Sequence, residues 1–478
     1  MPPDKMPNHR SPEPHPKDPV ATLVEKSKSR RHPAVLQRNS RRQRIIIAAL
    51  ILLSAFGVRL LVWQNKRAEA LKVQTGVTEN YKHLARLLNQ NGLASFFDPT
   101  STTSNPDLLG HPPGYPIMLA LIYRLAGETD LAAQLFQMVC DSVAAVIIFL
   151  IAIELLSFGV GIIAGLMAAF APQFSWNSIV LLPDTLAALP ILIAIYLITR
   201  ARQRPRWPTI LAGGALIGVS CWFRPNGLLL APFLALLMPI VFPRGLRLKM
   251  GLALIGGACL TIAPLTIRNA LVFGHFIPVS LGAGQTLLEG IADYDETGSL
   301  GLSETDMGLM KQEAEAHKRP DYALTLFGPD AIQRDRERLA RGFAIIRAHP
   351  IWFFTVMIRR AGSMWRLERV PLISSTNASG AGTTLAALLV GGIQRLFITA
   401  IILPCVVGGL ILLVLRRQGS VLAILLAVPV YYFCVQSVLH TEYRYVLTIH
   451  YFLFVLAALG IYRIVCWGKQ LAQQKVLA

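Results

Sequence analysis

Acidic residues are scarce in this chain: 27 Asp and Glu stand against 46 Lys and Arg, and charged side chains make up only 15% of the 478 residues. With 53% hydrophobic residues, so little charge excludes a string of soluble domains and points to one large bundle in lipid. Cysteine is sparse too. Cys140, Cys221, Cys259, Cys405, Cys434 and Cys466 fall in or at the ends of apolar runs with no CxxC pair, so disulfides and zinc are not expected. No GxGxxG follows a strand pattern and no GxxxxGK precedes Ser or Thr, which removes support for a nucleotide-sugar or ATP site. No His, Asp or Glu pair has a spacing that commends a metal site, so metal independence and no cofactor are expected. The net charge of +19 comes without a basic face carrying interleaved aromatics, which argues against a nucleic-acid partner.

What is abundant is apolar sequence. Runs recur at 45–63, 132–155, 158–174, 180–199, 208–223, 226–242, 251–272, 396–415, 420–438 and 446–466, about ten spans of an all-α polytopic membrane protein. Several are shorter than the ~20 residues of a straight crossing, the pairs around residues 156 and 225 above all. Basic residues set the orientation, because basic loops are retained on the cytoplasmic side. Arg30, Arg31, Arg41, Arg42 and Arg44 precede the first run. Counting forward from a cytoplasmic tail, the inside connections hold Arg200 to Arg206, then Arg244, Arg247 and Lys249, then Arg416 and Arg417, then Arg463 and Lys469. Both termini are therefore expected in the cytoplasm, with 1–44 a disordered basic tail that can also lie on anionic lipid, 45–466 the membrane domain and 467–478 a C-terminal tail. No small-residue cleavage site follows the first run before Trp63, so an uncleaved anchor is expected.

Two long segments, about 64–131 and 273–384, then lie outside. In the first, Tyr81, Leu84, Ala85, Leu87 and Leu88 line one face of a helix. The stretch HPPGYPIMLALIYRLAG at 111–127 follows, too short to span and marked by two prolines, as in a re-entrant or interfacial helix. The second has a Gly-rich opening at 282–290, a charge-mixed helix around 304–348, and PIWFFTVMIRRAGSMWRLERV at 350–370. That last stretch reads as a helix in the interface plane, its Arg359, Arg360, Arg366 and Arg369 either resting at lipid phosphates or binding a donor. Gly161 and Gly165, and Gly214 and Gly218, sit four apart and predict close helix approaches.

Ionisable residues at the outer ends of spans carry the chemical signal, because charge near lipid is costly. Glu79 lies in the first outer segment, Asp184 opens the fourth span, and Arg224 ends the fifth in RPNG. Arg268 ends the seventh with Asn269, and HTEYRY at 440–445, containing His440, Glu442, Tyr443, Arg444 and Tyr445, precedes the last. All converge on one face of the membrane. Arginines facing carboxylates at an interface suit transfer from a phospholipid sugar: paired N–H donors hold the leaving phosphate, and a carboxylate takes the proton of the attacking hydroxyl.

The order of a long first outer loop, PPGYP, an acidic start to the fourth span, an RP pair, IRN…FG and a YRY-containing last loop resembles the GT-C glycosyltransferases. Within that group it looks like the dolichyl-phosphate-mannose protein mannosyltransferases, the aminoarabinose transferase of lipid A and the lipopolysaccharide-core galacturonosyl transferases. The resemblance implies a GT-C-like bundle and inverting transfer of a sugar from a polyprenyl-phosphate donor to a glycan, lipid or protein acceptor on the outer face; the Arg-bearing outer loops and the absence of disulfide pairs fit a bacterial inner membrane. It makes Glu79, in VTENYKHLA, the general base; Val77 or Thr78 occupies the family's usual Asp position. It places the donor phosphate on Arg444, with Arg268, Tyr443 and Tyr445 beside it. Asp184, Arg224, His440, Glu442 and His111 are candidate substrate contacts.

Each residue also has a plainer reading. Glu79 can serve the first turn of a helix, Arg444 can anchor the interface between two tyrosines, and Arg268 can close the seventh helix. Arg224 can be an anchor, His440 and Glu442 hydrated loop residues, and His111 a loop residue beside its prolines. Asp98 and Asp107 are fallback bases in a polar turn. A lipid-linked-sugar flippase, a glycan ligase or polymerase, and a non-catalytic scaffold compete with the transferase, although no internal repeat of a transporter is visible.

Overall fold

A computed structural model describes residues 41–73, 76–102, 109–328, 330–373 and 385–477, and among these it contains helices and no strands. The basic tail before 41 and Asp107 lie outside the described residues. The first helices follow directly from the sequence pattern. Helix α1, Arg41–Val73, contains the first apolar run but continues ten residues past its end at 63. Helix α2, Gly76–Asn91, buries Tyr81, Leu84, Ala85 and Leu88, the face that the spacing predicts. Helix α3, Gly114–Ala126, starts after Pro113 and is 13 residues long, too short to cross.

The bundle follows. Helix α4, Asp130–Leu155, is capped by Thr129, whose hydroxyl accepts from the Ala132 amide. Helices α5, Phe158–Phe170, and α6, Pro172–Ile179, replace one expected span by a pair bent by 46°. Proline at the first position of α6 explains the break, since it cannot supply the amide hydrogen bond that would continue α5. Helix α7, Asp184–Gln203, is the most enclosed, with 72% of its apolar window buried. Helix α8, Trp207–Phe223, is 17 residues long, and the run after it is broken into α9, Leu230–Ala235, and α10, Met238–Val241. Helix α11 spans Arg247–Phe273.

The expected close approaches are present. A Cβ on Gly214 would lie 1.9 Å from the Leu254 carbonyl oxygen, and one on Gly257 would lie 2.0 Å from that of Leu211, so α8 and α11 touch backbone to backbone. Gly161 and Gly165 bring α5 against Phe149 of α4 in the same way.

The second outer segment carries four α-helices in its described part: α12, Ala283–Ala292; α13, Asp306–His317; α14, Ala331–Ala348; and α15, Pro350–Ser363. The single charge-mixed helix expected at 304–348 is two. Lys318 takes a left-handed conformation with φ 54° and Pro320 follows, which ends α13. Glu313 then staples the two together, holding Arg334 at 2.7 Å and Arg338 at 2.6 Å. The chain closes with α16, Leu385–Gln394, α17, Thr399–Leu415, α18, Gly419–Gln436, and α19, Leu447–Leu477. Among the described residues, six helices are long and apolar enough to cross a membrane, or up to eight if each bent pair is one span. The expected ten apolar runs are all helical, but α8 and the α9–α10 region are too short to be counted by length alone.

Candidate functional site

The site grows from the short turn Tyr443–Val446 that leads into α19. Packing fixes this turn from two sides. The Trp176 indole N–H of α6 donates to the Tyr443 hydroxyl at 3.0 Å. His440, just before the turn, donates its amide to the Thr286 carbonyl and pairs its Nδ1 with Asp293 at 2.7 Å. Both acceptors lie on or beside α12, so the second outer segment grips the loop that carries the turn. Burial lowers the affinity of His440 for a proton, but the Asp293 carboxylate outweighs it and the net shift is upward.

Next to the turn, α7 and α8 present a buried ion pair. Arg224 follows the end of α8 and Asp184 opens α7; Nε lies 2.8 Å from Oδ1, and Nη2 donates to Oδ2 at 2.9 Å. The Asp184 carboxylate is 2% exposed, and that guanidinium lies over the Tyr445 ring at 4.6 Å. Arg444 lies over the same ring at 5.3 Å and donates to Glu442 at 2.6 Å. The Tyr445 hydroxyl donates to the same Glu442 oxygen at 3.2 Å. Two guanidiniums thus share one aromatic ring, each tied to one carboxylate. The Arg444 Nε is buried without a hydrogen-bond partner, an expensive condition that an arriving anion would relieve.

Tyr81 closes the cluster from α2. It packs edge-on against Tyr115 at 5.1 Å and against the His111 ring at 5.2 Å. Burial pushes its phenol up to about 12, with the Arg224 guanidinium pulling the other way, so it is a neutral hydrogen-bonding group at neutral pH. Burial, with Arg224 and Arg444 adding to it, lowers His111 to about 4, so that its imidazole is uncharged.

The structure therefore brings together His111, Asp184, Arg224, Glu442, Tyr443, Arg444 and Tyr445, seven of the residues singled out in the sequence. Three others lie apart. Glu79 sits in the first turn of α2, with its side chain 61% exposed and Lys82 at 3.3 Å. Arg268 is buried in α11, donates to the Phe96 carbonyl at 2.8 Å and covers the Phe96 ring at 4.0 Å, which ties the first outer segment to α11. His440 acts on the turn through α12. Arg360, expected among lipid phosphates, is instead 2% exposed and donates to the carbonyls of Ser437 and Gly290, so it too braces the last outer loop.

One buried network escaped the sequence reading. Arg59 of α1 is 0% exposed and pairs with Asp141 of α4 at 2.6 Å. It also donates to the Ala55, Ala168 and Ala169 carbonyls, the last two at the end of α5, where the helix breaks. The Tyr451 hydroxyl of α19 donates to Asp141, and the Tyr451 ring stacks on Phe174 of α6 at 3.7 Å. The signal was present: a lone Arg inside the run 45–63 and a lone Asp inside 132–155.

Residues 110–267 match the family model of dolichyl-phosphate-mannose-protein mannosyltransferase. No curated protein sequence matches the chain. Among solved structures, the apo oligosaccharyltransferase of Archaeoglobus fulgidus superimposes with a TM-score of 0.51 at 14% identity over 92% of this chain and 52% of that one. The archaeal AglB from the same organism, in complex with an inhibitory peptide and a dolichol-phosphate, gives 0.51 at 15% identity over 91% and 51%. The chain thus spans about half the length of these structures. A looser likeness, with a TM-score of 0.36, is to ArnT from Cupriavidus metallidurans bound to undecaprenyl phosphate, at 15% identity over 87% and 76%. The chain therefore shares a helical membrane-protein fold with the archaeal oligosaccharyltransferases, and its residues 110–267 are similar to the dolichyl-phosphate-mannose-protein mannosyltransferases.

Proposed function

We propose that this protein is an integral membrane glycosyltransferase that moves a sugar from a polyprenyl-phosphate donor to an acceptor hydroxyl on the extracytoplasmic face, with inversion. The observation that carries the reading is the partly buried Arg224–Tyr445–Arg444 stack, in which the Arg444 Nε has no hydrogen-bond partner, beside a segment that matches a mannosyltransferase family model. In this reading Arg444 takes the donor phosphate, Arg224 adds positive potential, and Asp184 holds Arg224 in place. Tyr443 and Tyr445 line the anion's position, and Glu442 fixes the Arg444 fork.

Glu79 is the general base. Its exposed carboxylate reaches the aqueous side from which an acceptor arrives, and Tyr81, two residues on, belongs to the cluster. The acceptor O–H gives its proton to Glu79 as its oxygen attacks the anomeric carbon. The bond from that carbon to the phosphate oxygen breaks, and its electron pair leaves with polyprenyl phosphate. The neutral His111 and Tyr81 are placed to accept or donate hydrogen bonds to the sugar. The acceptor is a glycan, a lipid or a protein, and the basic connections support the reading that both termini are cytoplasmic and the membrane is an inner membrane.

The test is transfer of radiolabelled sugar from a panel of polyprenyl-phosphate donors by the purified protein. Transfer that falls with Glu79→Gln in a folded protein supports the reading. Movement of the lipid-linked sugar across liposomes with no transfer from any donor removes it.

A further inference from the structure

One stripe of α12 is pressed against the segment 437–440 that leads into the Tyr443 turn. Thr286 and Gly290 of α12 and Asp293 at its end fall at spacings of four and three, which puts them on one face of a helix. Each meets the segment in a different way. The Thr286 carbonyl accepts the His440 amide at 2.7 Å, and the Asp293 carboxylate meets His440 Nδ1 at 2.7 Å. Gly290 allows the approach between them. A Cβ there would lie 2.5 Å from the His440 nitrogen and 2.8 Å from the Leu439 carbonyl carbon, so a larger residue would push the two backbones apart.

Arg360 of α15 closes the same joint. Its side chain is buried, Nη1 donates to the Ser437 carbonyl at 2.7 Å and Nη2 donates to the Gly290 carbonyl, so one guanidinium ties the segment to α12. Thr441 stiffens the chain onward, its hydroxyl donating to the Gln436 and Leu439 carbonyls at 2.6 and 3.0 Å. The next residue, Glu442, holds Arg444 at 2.6 Å. The grip of α12 therefore reaches the guanidinium assigned to the donor phosphate through a short, hydrogen-bonded stretch of chain.

His440 is the member of this joint whose charge changes near neutral pH. The charged groups facing its ring are Asp293 beside α12, Glu442 from its own loop and Arg360 from α15. Burial disfavours the imidazolium and Arg360 adds to that, but Asp293 and Glu442 outweigh both, and the net shift is upward from the ordinary 6.5. Below pH 6.5 the ring keeps its proton and the contact with Asp293 is a charge-assisted pair. As pH rises above that value the proton leaves, and a neutral hydrogen bond of roughly half the strength remains.

We propose that Arg360, His440 and Asp293 are positioning residues for Arg444, and that loss of the His440 proton loosens the joint and weakens the hold on the donor phosphate. Resting on the glycosyltransferase reading, this makes the second outer segment a pH-dependent adjuster of the site. The donor KM rises with pH because Arg444 is held less firmly, without any change in the groups that touch the sugar.

Two measurements on the full chain in phosphatidylcholine nanodiscs test this. Steady-state transfer from radiolabelled dolichyl-phosphate mannose gives the donor KM and kcat. Hydrogen exchange read by mass spectrometry, corrected for the intrinsic pH dependence of amides, follows 437–446, which includes the amide that His440 donates to Thr286. Wild type, Asp293→Asn, Arg360→Gln and Arg360→Lys are compared from about pH 6 to about pH 9, with the thermal midpoint of each recorded. The proposal expects the wild-type KM to rise by about threefold or more across this range while protection of 437–446 falls in parallel. Asp293→Asn shows the raised KM and the low protection already at the acid end, and Arg360→Lys recovers part of what Arg360→Gln loses. A folded Asp293→Asn protein with wild-type KM and protection overturns the proposal, as does a wild-type KM that ignores pH or a loss confined to kcat and the thermal midpoint. Asp293→Asn decides the matter if Arg360→Gln fails to fold. If wild type transfers sugar from no donor while its exchange follows pH and Asp293 as expected, the joint stands and the transferase reading falls. Exchange that responds to neither overturns the joint whatever the transfer assay gives.

Discussion

Two buried arginine–aspartate pairs in this molecule look alike in composition and differ in closure. Arg59 and Asp141 lie in the bundle with every visible demand met: Arg59 reaches Asp141 and three carbonyls, and Asp141 takes the Tyr451 hydroxyl besides. Arg224 and Asp184 lie at the end of the bundle, share their surroundings with a second arginine, and leave the Arg444 Nε unpaired. A closed network joins four helices and has nothing left to offer a ligand. An open one costs stability and keeps donors in reserve, which is how binding sites are recognised in a fold that otherwise satisfies its polar groups.

Breaking the closed network has the largest expected effect. Asp141→Ala leaves Arg59 charged and unpaired among apolar helices, and the expected loss is about 3–5 kcal/mol, read as a collapsed thermal midpoint and poor yield in detergent. Arg59→Met combined with Asp141→Leu recovers most of that loss, because the cost lies in the uncompensated charge. A single Asp141→Ala variant as stable as wild type removes the distinction between the two networks.

The open site is expected to respond in activity and not in stability. Glu79→Gln lowers kcat by about 10²–10⁴-fold if the carboxylate is the base. The same variant costs only about 0.3–1 kcal/mol if Glu79 merely serves the first turn of α2. Steady-state kinetics beside a thermal melt separates the two roles of this residue. Arg444→Gln lowers transfer by about 10²–10³-fold while the midpoint moves little, since Arg224 keeps its contact with the Tyr445 ring and the Tyr445 hydroxyl still donates to Glu442.

A further effect depends on pH and appears only when pH is varied. Burial first, then a hydrogen bond to Asp306, pushes Glu289 up to about 9. An acid whose pKa is higher in the folded state than the ordinary 4.5 binds its proton more tightly when folded. Its contribution is full below pH 4.5 and declines as pH rises towards 9. Glu289→Gln, a neutral isostere, is therefore expected to flatten the fall of the thermal midpoint between pH 5 and 8. A midpoint that rises with pH in wild type contradicts the buried, protonated Glu289.

Much of this was legible in the sequence because the relevant rules are local. The apolar face of α2, the Pro113 start of α3 and the Gly214 approach follow from periodicity, proline chemistry and side-chain size. Asp184, Arg224 and the HTEYRY loop stood out because charge beside lipid is rare. What was not legible depends on partners distant in sequence. Arg360 reads as a lipid-facing arginine until the carbonyls of Gly290 and Ser437 are seen beside it. Arg59 and Asp141 are 82 residues apart, and only the packing of α1 on α4 makes them a pair. The role of Glu79 is not legible in its local pattern, because a carboxylate in the first turn of α2 suits both a helix start and a solvent-facing base.

The central claim is that the open arginine stack receives the phosphate of a lipid-linked sugar. The most direct measurement is sugar transfer from polyprenyl-phosphate donors by wild type, Arg444→Gln and the stable Arg59→Met, Asp141→Leu pair in the same nanodiscs. The account predicts transfer by wild type and by the core pair and its loss in Arg444→Gln at an unchanged thermal midpoint. Undiminished transfer by a folded Arg444→Gln protein contradicts it.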